Sequence, residues 1–232
     1  MATVVNTVLD AFVAPSSLFE KFDNNQKQSG ILLLTLMLLI FVSHYWFFGG
    51  MTDEYLLNQQ LAKVNDLSVQ ELAVVRESMS MTLQYTWIFV AGMTAIGHLF
   101  VVIGLSLFFA MVSKLSNTQM KSFSVKNWFY FASWCQLPWI VNYVGFMMLF
   151  ASSTTGNLPL DLIDYASVAQ LFTHNEGGVY VALYSSMNLF SIWSITICSL
   201  GLSRYFSMRL SSTIAISSAP YLIFYGVWFA VL

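Results

Sequence analysis

Charge is scarce along this chain, and that scarcity does the first sorting. Only nine Lys and Arg and eleven Asp and Glu occur among 232 residues, 9% of the total, against about 25% in soluble domains. So few charges cannot clothe a water-facing surface, which excludes an ordinary soluble protein. A net charge of −2 and a pI near 5.8 exclude nucleic acid as a partner, because that surface calls for clustered Lys and Arg. Cysteine is nearly absent too: Cys135 and Cys198 both fall inside apolar stretches. They supply neither a disulfide framework nor a multi-cysteine metal site, and read as buried structural thiols. No G-x-x-x-x-G-K-[ST] loop, His-Glu-x-x-His helix or paired intramembrane carboxylates can be found, so no enzyme and no cofactor are expected.

What fills the chain is apolar. Hydrophobic residues make up 57% and the mean hydropathy is +0.69. A helix crosses a hydrocarbon core of about 30 Å with roughly 20 apolar residues. Five segments come up to that length or close to it: 31–48, 85–112, 128–151, 179–203 and 214–232. The fifth is short, contains Pro220 and opens from the polar run Ser211-Ser212-Thr213. The expected fold is therefore all-α, a polytopic integral membrane bundle of five transmembrane helices.

Lys and Arg in the connections set the orientation. A cytoplasmic N-terminus puts Lys21, Lys27, Lys114, Lys121, Lys126, Arg204 and Arg209 inside and only Lys63 and Arg76 outside. The topology expected is N-in, C-out. No basic n-region precedes the first span, which is expected to be a retained signal anchor. Ahead of it, 1–30 forms a cytoplasmic segment in which Val4, Val5, Val8, Leu9 and Phe12 share one side of a helix over 3–14. That helix either lies in the membrane interface or packs on the bundle, and Pro15 ends it. The remainder, 31–232, is one membrane domain with outer loops at about 51–82 and 153–178. The first loop has helical spacing and a capping box, Ser68 with Glu71, so a helical hairpin is expected there. The second holds His174 and Glu176, too few ligands for a metal.

Within the spans no Asp, Glu, Lys or Arg occurs, which argues against ion coupling through charged sites. His98, near the middle of the second span, is either a proton relay or a neutral side chain bonded to a neighbouring helix. His44, close to the outer end of the first span, reads as an ordinary interfacial residue. Ser191, Ser194, Cys198 and Gly201 recur at spacings of three and four. With Gly97 and Gly104 they form small-residue faces for close helix approach, inside the bundle or against a partner. Pro138 frees a backbone carbonyl one turn earlier. With His98, Gln136, Asn142 and Asn188 it can line an intramembrane polar cavity.

Three short patterns carry a resemblance. Pro15-Ser16-Ser17-Leu18-Phe19 stands before the first span, a polar approach ends in Leu137-Pro138, and Asn188, Phe190, Trp193, Gly201 and Leu202 mark the fourth span. In this order they resemble bacterial members of the Yip family, membrane proteins named for interaction with Ypt/Rab GTPases; Asn188 stands where many relatives have Asp. The resemblance implies a five-helix domain in the bacterial cytoplasmic membrane, with no enzymatic chemistry. It also implies an accessory role beside an ABC-type exporter permease and its periplasmic adaptor. The Rab partner does not carry over, because the long cytoplasmic domain of the eukaryotic relatives is missing. Two functions are thus open: a scaffold or accessory subunit docking on another membrane protein or a second copy of itself, and a carrier or channel for a lipid or small solute near Pro138, Asn142 and Asn188.

Overall fold

A computed structural model describes residues 19, 22–64, 68–115, 123–172 and 180–232. The amphipathic helix expected over 3–14, Pro15 and the pair His174 and Glu176 lie outside the described residues. The elements are α1 (Phe22–Gly49), α2 (Asp53–Leu61), α3 (Val69–Thr82), α4 (Thr86–Leu115), α5 (Val125–Cys135), α6 (Leu137–Ala151), α7 (Val168–Phe172), α8 (Val181–Ser186), α9 (Leu189–Tyr205) and α10 (Leu210–Val231). Short 3-10 turns cover Leu83–Tyr85 and Leu160–Asp164. Among the described residues no strand forms beyond one isolated bridge, Ser167 with Asn188, and the chain is all-helical.

Among the described residues four stretches are long and apolar enough to cross a membrane: Ser29–Gly49, Val69–Leu115, Val125–Ala151 and Leu210–Val231. The second is 47 residues long, about 70 Å at 1.5 Å per residue, more than twice a bilayer core. Its first part, α3, has no buried residue and folds back on α2 as the expected hairpin. Ser68 accepts from the Glu71 N–H while Glu71 returns to the Ser68 N–H, the reciprocal cap that fixes the start of α3.

The fourth expected span, 179–203, is not continuous. Met187 is extended, and the Asn188 side chain accepts from the Phe190 N–H at 2.9 Å, so a new helix starts at Leu189. Asn is among the strongest N-cap residues because its short carbonyl reaches the orphan donors of the first turn. The bridge from 166–168 to 187–189 secures the break, with Val168 N donating to Met187 O at 2.7 Å and Leu189 N to Ala166 O at 3.0 Å. The remaining α9 has 17 residues, about 25 Å. The last helix differs from expectation in the opposite sense. It begins at Leu210, taking the polar run into its first turn, where Thr213 Oγ1 bonds the Leu210 carbonyl at 2.8 Å.

The helices form a row. α1 packs on α4, α5 and α6; α9 packs on α5 and α6; and α10 attaches to α9 at the edge. Two aromatic clusters hold this row. At the end away from the hairpin, Trp128 meets Phe109, Phe123, Phe131 and Phe206 at centroid distances of 4.9–5.6 Å. At the hairpin end, Phe146 meets Phe47 and Phe150 at 5.0 Å each. Two glycines are demanded by close approach. A Cβ on Gly201 would lie 2.8 Å from the buried Phe19 ring and 2.9 Å from Phe131, and a Cβ on Gly156 would collide with the Gly50 backbone. Next to that second contact the Thr52 N–H donates to Asn157 Oδ1 at 2.9 Å, and Lys63 pairs with Asp161 at 3.1 Å. The two outer loops are thereby tied to one another.

Gly201→Leu is expected to destabilise the protein by about 1–3 kcal/mol through overpacking. Gly226→Ala, with open space around its Cβ, should leave the thermal midpoint in detergent unchanged or slightly raised. Asn188→Ala should cost about 1 kcal/mol while Asn188→Asp keeps the cap; a thermal-shift series comparing both with the parent chain checks this.

Candidate intramembrane cleft

The break between α5 and α6 brings polar side chains into the middle of the bundle. Pro138 stands in the first turn of α6, where its missing N–H costs nothing, and Gln136 is the joint, with φ −85° and ψ 0°, still in the right-handed helical region. From that joint Gln136, Trp139, Asn142 and Tyr143 follow at spacings of three and four and share one face. They floor a cleft of about 740 Å³. One wall is α4, through Gly97, His98 and Gly104; the other is α10, through Tyr221, Tyr225 and Trp228, with Asn188 and Ser191 of α9 closing the back. Asp164, Ser185 and Ser186 stand at the hairpin end. Thr94 and Gly104, both lining residues, span ten residues of α4, so the cleft runs about 15 Å along the helix. Phe100 of α4 and Phe224 of α10 line it and are 69% and 57% exposed, so its open side lies between these two helices.

The polar groups of the cleft divide into satisfied and unsatisfied. His98 Nε2 is hydrogen-bonded to Tyr143 Oη at 3.1 Å, and its ring meets Trp139 edge-on at 4.7 Å. Tyr165 Oη donates to the Asn142 carbonyl at 3.1 Å, and Gly145 leaves room for that hydroxyl, since a Cβ there would lie 2.6 Å from it. Tyr225 Oη donates to the Ser186 carbonyl at 2.9 Å, fixing α10 to α8. Gln136 is the exception: it is fully buried with its amide turned to His98 and Tyr221, yet neither contact reaches full hydrogen-bond geometry. Asn142 is 3% exposed, and its Oδ1 is unpartnered as well. A buried polar atom left without a hydrogen bond costs about 1–3 kcal/mol, which a ligand group donating to Asn142 Oδ1 would recover.

Asp164 is the one acid among the lining residues, none of which is Lys or Arg. Its carboxylate has no hydrogen-bond or ion-pair partner among the described residues. Burial raises its pKa above the usual carboxylate range, Lys63 opposes that and Asp161 adds to it. Lys63 is engaged by Asp161, which limits its pull on Asp164.

The residues singled out from the sequence are thus partly regrouped. His98, Gln136, Asn142 and Asn188 meet in one cleft, joined by Gly97, Gly104 and Ser191. Gly97 and Gly104 do not serve close helix approach within the chain: no atom lies within 4 Å of a Cβ built on either, and both form cleft wall. Pro138 is buried behind the floor and does not line the cleft. Asn188 lends its side chain to the cap of α9. Ser194, Cys198 and Gly201 face inward and are buried, as is Cys135, so this stripe is taken up inside the chain. Phe190 and Trp193 stack on one another at 6.1 Å. His44 departs from its expected interfacial place: it is fully buried, with Nδ1 donating to the Ile40 carbonyl at 2.7 Å, Nε2 unpartnered, and rings of Tyr143 and Phe146 each 6.1 Å away. Its side of α1 faces α6, which sequence position alone does not reveal.

Sequence reasoning missed Asp164, Tyr143, Trp139 and the aromatic face of α10. The last has a signal, because Tyr221, Phe224, Tyr225 and Trp228 recur at three and four, a periodicity that a uniformly apolar helix conceals. Asp164 reaches the cleft through the fold of its loop and leaves no such trace.

Gln136→Leu is expected to keep or raise the thermal midpoint, since it removes two unsatisfied polar atoms. Tyr143→Phe should lower stability by about 1–3 kcal/mol, because it strands His98 inside the bundle. Paired thermal unfolding curves in one detergent separate the opposite signs.

A family model described as the Yip1 domain matches residues 9–231. No curated protein and no solved structure matches the chain.

Proposed function

The chain belongs to the Yip1-domain family of multi-pass membrane proteins, and from that premise we propose that it is a non-enzymatic protein that holds a lipid or other small amphiphile in its intramembrane cleft. The observation that carries this reading is the cleft itself, about 740 Å³ in volume, mostly aromatic and apolar in its lining, with the amides of Gln136 and Asn142 converging on it and Asn142 Oδ1 without a hydrogen-bond partner. Ligand sites commonly have such a volume and join an apolar lining to a few convergent polar groups. The side opening supports an amphiphile over a water-borne solute: Phe100 and Phe224 are each fourteen residues from the start of their helices, about 21 Å along them, at the depth of hydrocarbon. Catalysis finds no support in these groups, since no nucleophile stands beside a base in the cleft. In the orientation favoured by the Lys and Arg distribution, the N-terminus is cytoplasmic, Asp164 faces outward, and α9 serves with the four longer stretches as a fifth span in a bacterial cytoplasmic membrane.

A scaffold or accessory-subunit role is the second reading, and α3 supports it. Fourteen residues long with no buried side chain, this helix continues the axis of α4 beyond the bilayer and offers a surface to a membrane-protein partner such as an exporter permease or its adaptor.

Native mass spectrometry of the protein extracted from its membrane in mild detergent tests both. The cleft reading expects a stoichiometric adduct of lipid mass that is lost in the double variant Gln136→Leu/Asn142→Leu while the fold is kept. Absence of any adduct, together with stoichiometric recovery of another membrane protein that is lost on deleting 69–82, would overturn it in favour of the scaffold. Reporter fusions at the two termini check the orientation: a cytoplasm-active reporter should work at the N-terminus and fail at the C-terminus.

A further inference from the structure

We propose that the cleft selects amphiphiles whose polar end is a primary ammonium group, with the ammonium seated between Asp164 and the aromatic face of α10. This rests on the cleft being the ligand site, and it names the ligand chemistry. Among the described lining residues charge comes from one side chain, the Asp164 carboxylate, with no Lys or Arg to receive an anion. That carboxylate stands at the hairpin end without a partner, and Lys63, the nearby cation, is paired with Asp161 at 3.1 Å. Asp164 is exposed at the mouth of the cleft, so an ammonium reaches it without displacing a protein group, and an opposite charge brought close favours the ionised carboxylate. Tyr221, Tyr225 and Trp228 line the same cleft from α10, with Trp139 and Tyr143 beneath them. Aromatic faces attract ammonium groups through their quadrupoles, most strongly where water is excluded.

The unpartnered amides deepen the fit. For head groups that carry an ester or hydroxyl after the ammonium, the Gln136 Nε2 amide donor and the acceptors Gln136 Oε1 and Asn142 Oδ1 stand further along the cleft. The apolar tail then leaves between α4 and α10, past Phe100 and Phe224. An anionic amphiphile would set its charge beside Asp164 with no compensating cation among the described lining residues, and a purely neutral one would gain nothing from the carboxylate.

The test uses the full chain in neutral maltoside detergent, titrated with dodecylammonium, dodecanol and dodecyl phosphate while the intrinsic tryptophan fluorescence is followed. Saturable binding of dodecylammonium, at least tenfold tighter than either of the others, is expected. It should fall at least tenfold in Asp164→Asn, return in Asp164→Glu, and stay unchanged in Glu77→Gln on the exposed helix α3. Thermal midpoints of the four proteins check that folding is retained. Dodecanol or dodecyl phosphate binding as tightly as dodecylammonium would overturn the ammonium assignment and leave the cleft as the ligand site. Binding of none of the three would overturn both. Reconstitution in nanodiscs of phosphatidylethanolamine or phosphatidylglycerol then identifies the source. Loss of dodecylammonium binding in the first lipid alone marks an amine-headed lipid as the occupant, and equal binding in both marks a free cationic amphiphile.

Discussion

The joint at Gln136 is the constraint on which the rest of the molecule turns. Val125–Ala151 is long enough to run straight through a bilayer, yet the helix stops at Cys135 and restarts at Leu137, because Pro138 cannot supply the N–H that an unbroken ladder requires. The two halves then differ in one neighbour: both lie against α1 and α9, while the close packing along α4 belongs to α5. One long helix packing along a single groove would have closed the centre. Two shorter ones, meeting at an angle under α4 and α10, leave a floor in the middle of the bundle. The residue at the joint is a buried glutamine that faces His98 and Tyr221, so the backbone break and the polar character of the cleft have the same origin.

In hydrocarbon, backbone and side-chain polar groups must be satisfied within the protein, and most of this chain obeys. Thr35, Ser133, Thr196, Ser199 and Ser218 return their hydroxyls to carbonyls three or four residues back at 2.7–2.9 Å. His98 has Tyr143, and Asn188 has its own helix start. Against that background the free atoms of Gln136 and Asn142 stand out, because both adjoin space large enough to admit a molecule. Ser194 and Ser217 also lack partners, yet neither lines the cleft. The difference between a tolerated defect and a candidate site is therefore the volume beside it.

The apolar runs and the hairpin were readable from residues alone because hydropathy and capping act locally. The 29–49 helix, the α2–α3 hairpin and the Ser68–Glu71 box depend on neighbours within a few positions. The division of the fourth span at Asn188 has an equally local cause, but the hydropathy of 179–203 averages across it. The glycines are ambiguous for another reason. Spacing places Gly97 and Gly104 on one face, and such a face lets a helix approach or leaves a hollow according to what stands opposite. At Gly201 the neighbour is Phe19 from the other end of the sequence; at Gly97 there is none. Only the assembled fold separates the two.

Phe19 and Gly201 also explain what the family pattern records. They belong to motifs some 180 residues apart, and in the fold the ring of one occupies the space that the missing side chain of the other leaves, with Phe131 against both. Phe190 and Trp193 stack, Asn188 caps and Pro138 starts a helix. These positions, which carry the resemblance, are therefore structural ones, and they fix the frame around the cleft without specifying its contents. Asp164 and Tyr225 lie outside the quoted motifs and supply the charge and part of the aromatic wall. It follows that two proteins with the same frame can differ in ligand through a few such positions. Membership of the family and the chemistry of the cleft are separate questions, to be answered with different variants.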